Sequence, residues 1–149
     1  MQKLTIVLAM GMLAAGWAVA SDKTDAVAVV DKWTANFNKG DLKAAIALCA
    51  DDASVIDGLA PFLWRGPGAC AKWSDAYATY VKDQEMAGVT VTLAPSQTVY
   101  VSGDRAYFAA RATLVGTQKG KPVKVAARVT MALQKGSGGW QITAWSWSE

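Results

Sequence analysis

After Gly88 the hydrophobic pattern changes period, and this switch restricts the architectures open to the chain more than any other feature. Up to that point apolar residues recur at helical spacing; beyond it they alternate. The stretches Val89 to Leu93, Thr98 to Val101, Arg105 to Val115, Val123 to Gln134 and Trp140 to Trp147 read as strands. Ser102-Gly103-Asp104, Lys119-Gly120-Lys121 and Gly136-Ser137-Gly138-Gly139 supply turns between them. Consecutive long strands joined this way form an antiparallel meander. Within Val123 to Leu133 the odd positions are Val, Val, Ala, Val, Met131 and Leu, while the even positions carry Lys124, Arg128 and Thr130. One face is therefore buried and needs a cover.

The first half supplies that cover. Between Asp25 and Lys39, Ala26, Val30, Trp33 and Phe37 fall at spacings of four, three and four, the stripe of an amphipathic helix that Gly40 stops. Asp41 can cap a second helix running to about Ala50, with Leu42, Ala45, Ile46 and Cys49 inward. Ser54 to Asp57 and Phe62 to Arg65 read as two short strands. Gly66-Pro67-Gly68 then introduces a third helix with Cys70, Trp73, Tyr77 and Tyr80 along one side. Helices first and a curved meander afterwards is an α+β layout in a single domain.

The segment ahead of the first helix has a different character. Residues 1–20, MQKLTIVLAMGMLAAGWAVA, hold one lysine, an apolar run from Leu4 to Trp17, and Ala18-Val19-Ala20 before polar Ser21. This is the layout of a secretory signal cleaved after Ala20, leaving residues 21–149 as the mature domain; a retained N-terminal anchor is the competing reading. The expected location is periplasmic or secreted, with no membrane association after cleavage. Cys49 and Cys70 are the only cysteines. In an oxidising compartment they either form a disulfide or remain two buried thiols that never meet.

Histidine is absent, which removes the commonest general base and metal ligand. No metal or cofactor is expected. The formal charge of +3 is spread rather than gathered into a stripe, so nucleic acid is not an expected partner. Chemistry in this chain rests on carboxylates, tyrosines, indole N–H groups, arginines and lysines.

In the order Phe37-Asn38-Lys39-Gly40-Asp41, Ala50-Asp51-Asp52-Ala53, Gly66-Pro67-Gly68 and Gly139-Trp140-Gln141-Ile142, the chain resembles the SnoaL-like branch of the nuclear transport factor 2-like superfamily. The resemblance implies a cystatin-like cone: a curved antiparallel sheet covered by three N-terminal helices around an apolar cavity. It also implies a small apolar ligand and a homodimer through the outer sheet face. The superfamily spans isomerases, cyclases, hydrolases, dehydratases and non-catalytic binders, so function must be argued from the site.

Through the same alignment, the general base of the ketosteroid isomerases falls on Asp57, and their oxyanion donors fall on Trp33 and Val129. Valine cannot donate, and an indole N–H donates in a different direction from a phenol. Steroid-type isomerisation is therefore not expected. The resemblance makes Trp33 a candidate N–H donor and places Trp147, with Thr143, at the cavity. Phe37, Phe62, Trp64, Trp73, Tyr77, Tyr80, Val129 and Met131 are further candidates for its wall. Asp57 itself has two readings. Asp-Gly is a frequent turn dipeptide whose carboxylate accepts a local N–H, and the alignment makes the same carboxylate a cavity group.

Overall fold

The computed structural model describes residues 11–149, with side chains from Ala20 onward. Residues 1–10 of the expected leader, and the side chains of residues 11–19, lie outside the described residues. Helix α1 (Gly11–Asn38) is followed by α2 (Leu42–Ile46), β1 (Cys49–Ile56), β2 (Leu63–Arg65) and α3 (Ala69–Asp83). The long strands β3 (Met86–Ser102), β4 (Arg105–Gln118), β5 (Lys121–Gly136) and β6 (Gly139–Ser148) complete the chain. No helix among the described residues is long and apolar enough to cross a membrane.

The six strands form one curved sheet in the order β2-β1-β6-β5-β4-β3. The meander from β3 to β6 is antiparallel throughout, while β1 joins β6 in parallel, the one parallel pairing among the described residues. The expected α+β layout with helices on one sheet face is thus observed. The switch of period at Gly88 marks the passage from helical cover to meander.

Several elements differ in extent from the sequence reading: α1 begins at Gly11 rather than Asp25, β1 at Cys49 rather than Ser54, and α2 and β3 change as follows. Helix α2 ends at Ile46 rather than near Ala50, and Cys49 opens β1 instead of lying on a helical face. The reason is tertiary: Leu48 O accepts from Ile142 N at 2.9 Å, drawing the chain onto β6 before another helical turn can form. Likewise, the two strands expected at 89–93 and 98–101 are one strand with a bulge between Leu93 and Gln97. Pro95, which has no N–H to donate, sits in that bulge on an edge strand, where its loss from the ladder is tolerated.

The buried stripe of α1 is the expected one, with Ala26, Val30, Trp33 and Phe37 all in the core. They pack with Trp73 of α3 and with Phe108, Met131, Leu133 and Ile142 of the sheet. Burying each large side chain contributes about 1.5–3 kcal/mol, so this face holds the helix to the sheet far more strongly than helix propensity does.

Two polar devices fix the α1 end. Gly40, at φ +74°, turns the chain out of the helix, and Asp41 Oδ1 accepts from Ala44 N at 2.9 Å to cap α2. Asn38 reaches across to β3: its Nδ2 donates to Val91 O at 2.8 Å, and its Oδ1 accepts from Val91 N at 2.7 Å. Cys49 and Cys70 form a disulfide between β1 and α3.

Candidate functional site

The helices and the concave sheet face enclose a cavity of about 220 Å³. Trp33, Thr34 and Phe37 enter it from α1, and Trp73, Tyr77 and Tyr80 from α3. The sheet supplies Met86, Val91 and Leu93 (β3), Leu114 (β4), Val125, Val129 and Met131 (β5), and Trp145 and Trp147 (β6). Asp57, Gly58 and Leu59 close one wall from the β1–β2 loop, and Glu149 follows β6 along another. An engineered apolar cavity of about 150 Å³ takes up benzene, so a molecule of one or two rings fits here. A four-ring skeleton is too large to be enclosed.

The aromatic side chains form a continuous cluster. Trp33 stacks on Phe37 with ring centroids 5.5 Å apart, Trp73 stacks on Tyr77 at 5.4 Å, and Trp145 meets Trp73 edge-on at 4.6 Å and Trp33 at 5.5 Å. Such pairs contribute about 0.5–1.5 kcal/mol each beyond area burial, and they hold the helix-borne side of the cavity in a defined shape.

Asp57 occupies both of its anticipated settings at once. Its Oδ1 accepts from Leu59 N at 3.0 Å, the local turn bond favoured by the Asp-Gly dipeptide. Its Oδ2 accepts from Trp73 Nε1 at 3.1 Å, across from α3, and the residue lines the cavity. The turn thus orients the carboxylate, and the indole holds it against the aromatic cluster. A carboxylate has about four acceptor positions, so these two donors leave capacity for a ligand.

The other candidates separate by position. Trp33, Phe37, Trp73, Tyr77, Tyr80, Val129, Met131 and Trp147 line the cavity together with Asp57. Phe62, Trp64 and Thr143 do not. Phe62 sits at φ +72° in the turn after Asp57, its N–H donating to Leu59 O at 2.7 Å, and its side chain is 60% exposed. Trp64 is buried opposite Val55 in the β1–β2 pairing, in a part of the core away from the cavity. Thr143 is the extra residue of a bulge in β6, where Ala132 pairs with Ala144 and Leu133 with Ile142; its Oγ1 donates to Ala132 O at 3.2 Å.

Trp145 was missed. It shares a face with Trp147, two residues on, and that parity was the available signal. Its Nε1 and that of Trp33 are buried with no hydrogen-bond partner among the described residues. Both rings belong to the cavity lining, but neither Nε1 has accessible surface in it, so Trp33 does not present the N–H donor expected of it.

The sequence matches the SnoaL-like domain over residues 26–148. The chain belongs to the SnoaL-like family. The fold agrees. A nuclear transport factor 2-like protein with a cystatin-like fold from Novosphingobium aromaticivorans superposes with a TM-score of 0.74 at 19% identity, covering 93% of this chain and 88% of that one. A nuclear transport factor 2-like superfamily protein from Salmonella enterica serovar Typhimurium gives 0.74 at 15% identity over 87% and 91% of the two chains. A nuclear transport factor 2-like protein of unknown function from Pseudomonas putida gives 0.71 at 20% identity over 87% of each. No curated protein matches the sequence.

The electrostatics of this SnoaL-like cavity are written on Tyr77. Its phenol is pushed up to about 12, first because burial disfavours the phenolate, then because the Asp57 carboxylate and Tyr80 lie close by. Tyr77 is therefore a neutral hydroxyl at any physiological pH, able to donate or accept a hydrogen bond.

Proposed function

We propose that this SnoaL-like domain is exported and holds a small, largely apolar molecule in its cone cavity, with Asp57 as the group that orients it or takes a proton from it. The observation that carries the reading is a carboxylate anchored by the Trp73 indole in the wall of an apolar, aromatic-rich cavity.

The same inventory suits proton abstraction beside a carbonyl. Asp57 would accept the proton, and the neutral Tyr77 hydroxyl in the cavity wall would donate to the charge that develops on oxygen. Steroid-type isomerisation is disfavoured on two counts, the non-donating Val129 and the size of the cavity. Export is supported by the sequence of the first twenty residues and by the Cys49–Cys70 disulfide. Cleavage after Ala20 would leave intact the buried stripe of α1 among the described residues, Ala26, Val30, Trp33 and Phe37.

The test uses 1-indanone in D2O. Saturable quenching of tryptophan fluorescence reads uptake, and exchange of the protons next to the carbonyl, followed by NMR, reads the base. Exchange is expected to exceed the buffer rate and to fall by about 100-fold in Asp57→Asn. Quenching without exchange would leave a binding protein, and no saturable uptake would end the cavity reading.

A second reading rests on the outer sheet face, where Tyr100 and Tyr107 stack at 6.4 Å and are 68% and 43% exposed. This pair supports self-association through that face. Sedimentation velocity is expected to show a dimer that Tyr107→Lys dissociates; a monomer at all concentrations would dismiss it.

A further inference from the structure

The cavity carries a charge pattern opposite to that of the rest of the chain. The protein has 15 basic and 12 acidic residues, yet no lysine or arginine lines the cavity, while Asp57 and Glu149 both do. Neither carboxylate takes part in an ion pair among the described residues; the pairs present are Arg105–Asp104 and Lys135–Asp22. A part-buried carboxylate without a cationic partner is costly unless hydrogen bonds or a bound cation offset the lost hydration. Asp57 has two neutral donors and no positive charge.

The surrounding wall is of the kind that receives organic cations. Seven of the nineteen lining residues are aromatic. Trp73, whose N–H holds the Asp57 carboxylate, is at the centre of the cluster, in contact with Trp33, Tyr77 and Trp145. Aromatic faces attract a cation through their quadrupoles, and a quaternary or tertiary ammonium, being weakly hydrated, gives up little on leaving water. An aromatic box with a carboxylate at its edge satisfies both parts of such a molecule, its apolar body and its charge. An anionic ligand, by contrast, would face two carboxylates and find no counter-charge.

Resting on the cavity reading above, we infer that the ligand of this site is a compact organic ammonium of one or two rings' size. The ammonium lies against the Trp73–Trp145 rings beside Asp57.

A pair of probes of equal shape tests the charge alone: (3-hydroxyphenyl)trimethylammonium and its neutral counterpart 3-tert-butylphenol, each titrated calorimetrically into the mature protein, with 1-indanone as reference. The cation is expected to bind about tenfold or more tightly than the neutral isostere. Asp57→Asn, with its circular dichroism unchanged, should remove most of that preference, and Glu149→Gln a smaller part. Equal or tighter binding of 3-tert-butylphenol, or uptake of 1-indanone with neither isostere bound, overturns the ammonium assignment and leaves the cavity reading standing. Failure of all three probes overturns both.

Discussion

Replacing Cys49 and Cys70 together by alanine is expected to lower the stability of the mature domain by about 3 kcal/mol, the chain-entropy value for a loop closed across roughly twenty residues. The separation is 21 residues, and the loop contains β1, the Asp57 turn, β2 and the start of α3. The disulfide therefore ties together both partners of the Asp57–Trp73 hydrogen bond, since Cys70 sits one helical turn before Trp73. Urea unfolding with and without reductant reads the effect: the oxidised wild type should unfold at a clearly higher midpoint, and the reduced wild type should approach the alanine variant. A loss below about 1 kcal/mol would mean that the loop is already ordered when unbridged. The mass of the protein recovered from its producing cell, starting at Ser21 and lacking free thiols, tests export at the same time.

Asn38→Ala is expected to cost a comparable amount, about 3 kcal/mol, although Asn38 contributes little apolar area. Val91 lies on the edge strand β3 with both of its backbone groups turned away from β4, and the Asn38 amide satisfies both at 2.7 and 2.8 Å. Alanine would leave a part-buried N–H and C=O without their protein partners, each costing about 1–3 kcal/mol where water does not replace the bond. Asn38→Asp separates this account from a simple size effect. The carboxylate keeps an acceptor for Val91 N but sets an oxygen against Val91 O, so it should lose nearly as much as alanine. If aspartate were tolerated at neutral pH, the clamp would not be what stabilises this junction. The consequence reaches the cavity, because Phe37 beside Asn38, and Val91 and Leu93 on β3, all line it.

These two contacts also show where reading from sequence stops. The stripe Ala26, Val30, Trp33 and Phe37 is a local, periodic signal, and every member is buried. On the odd face of β5, Val129, Met131 and Leu133 are buried, and Val123, Val125 and Ala127 partly so. Asn38 and Val91 are 53 residues apart, and nothing in either residue announces the other. The two cysteines likewise left bridge and separate thiols equally open until the positions of β1 and α3 were known.

Strand β6 shows the limit most clearly. Trp140 and Ile142 are buried at even positions, and Trp145 and Trp147 face the helices at odd positions. Strict alternation cannot place both sets on one face. The bulge at Thr143 does, by adding one residue between Ile142 and Ala144 against β5. Such a bulge follows from how two strands curve against each other, and it takes Thr143 out of the lining that its shared odd parity with Trp145 and Trp147 predicts.

By itself the sequence determined what short-range physics controls: the helical stripe, the switch to alternating strands at Gly88, the caps and turns, and the Asp-Gly turn that orients one Asp57 oxygen. Only the tertiary structure decided what depends on groups far apart in the chain. It brought Trp73 to the other Asp57 oxygen, Cys70 to Cys49, and a wall without basic residues around a cavity in a basic protein. Periodicity reports which side of an element avoids water, but not what meets it there. That is settled by packing the elements together, and the site is built from those meetings.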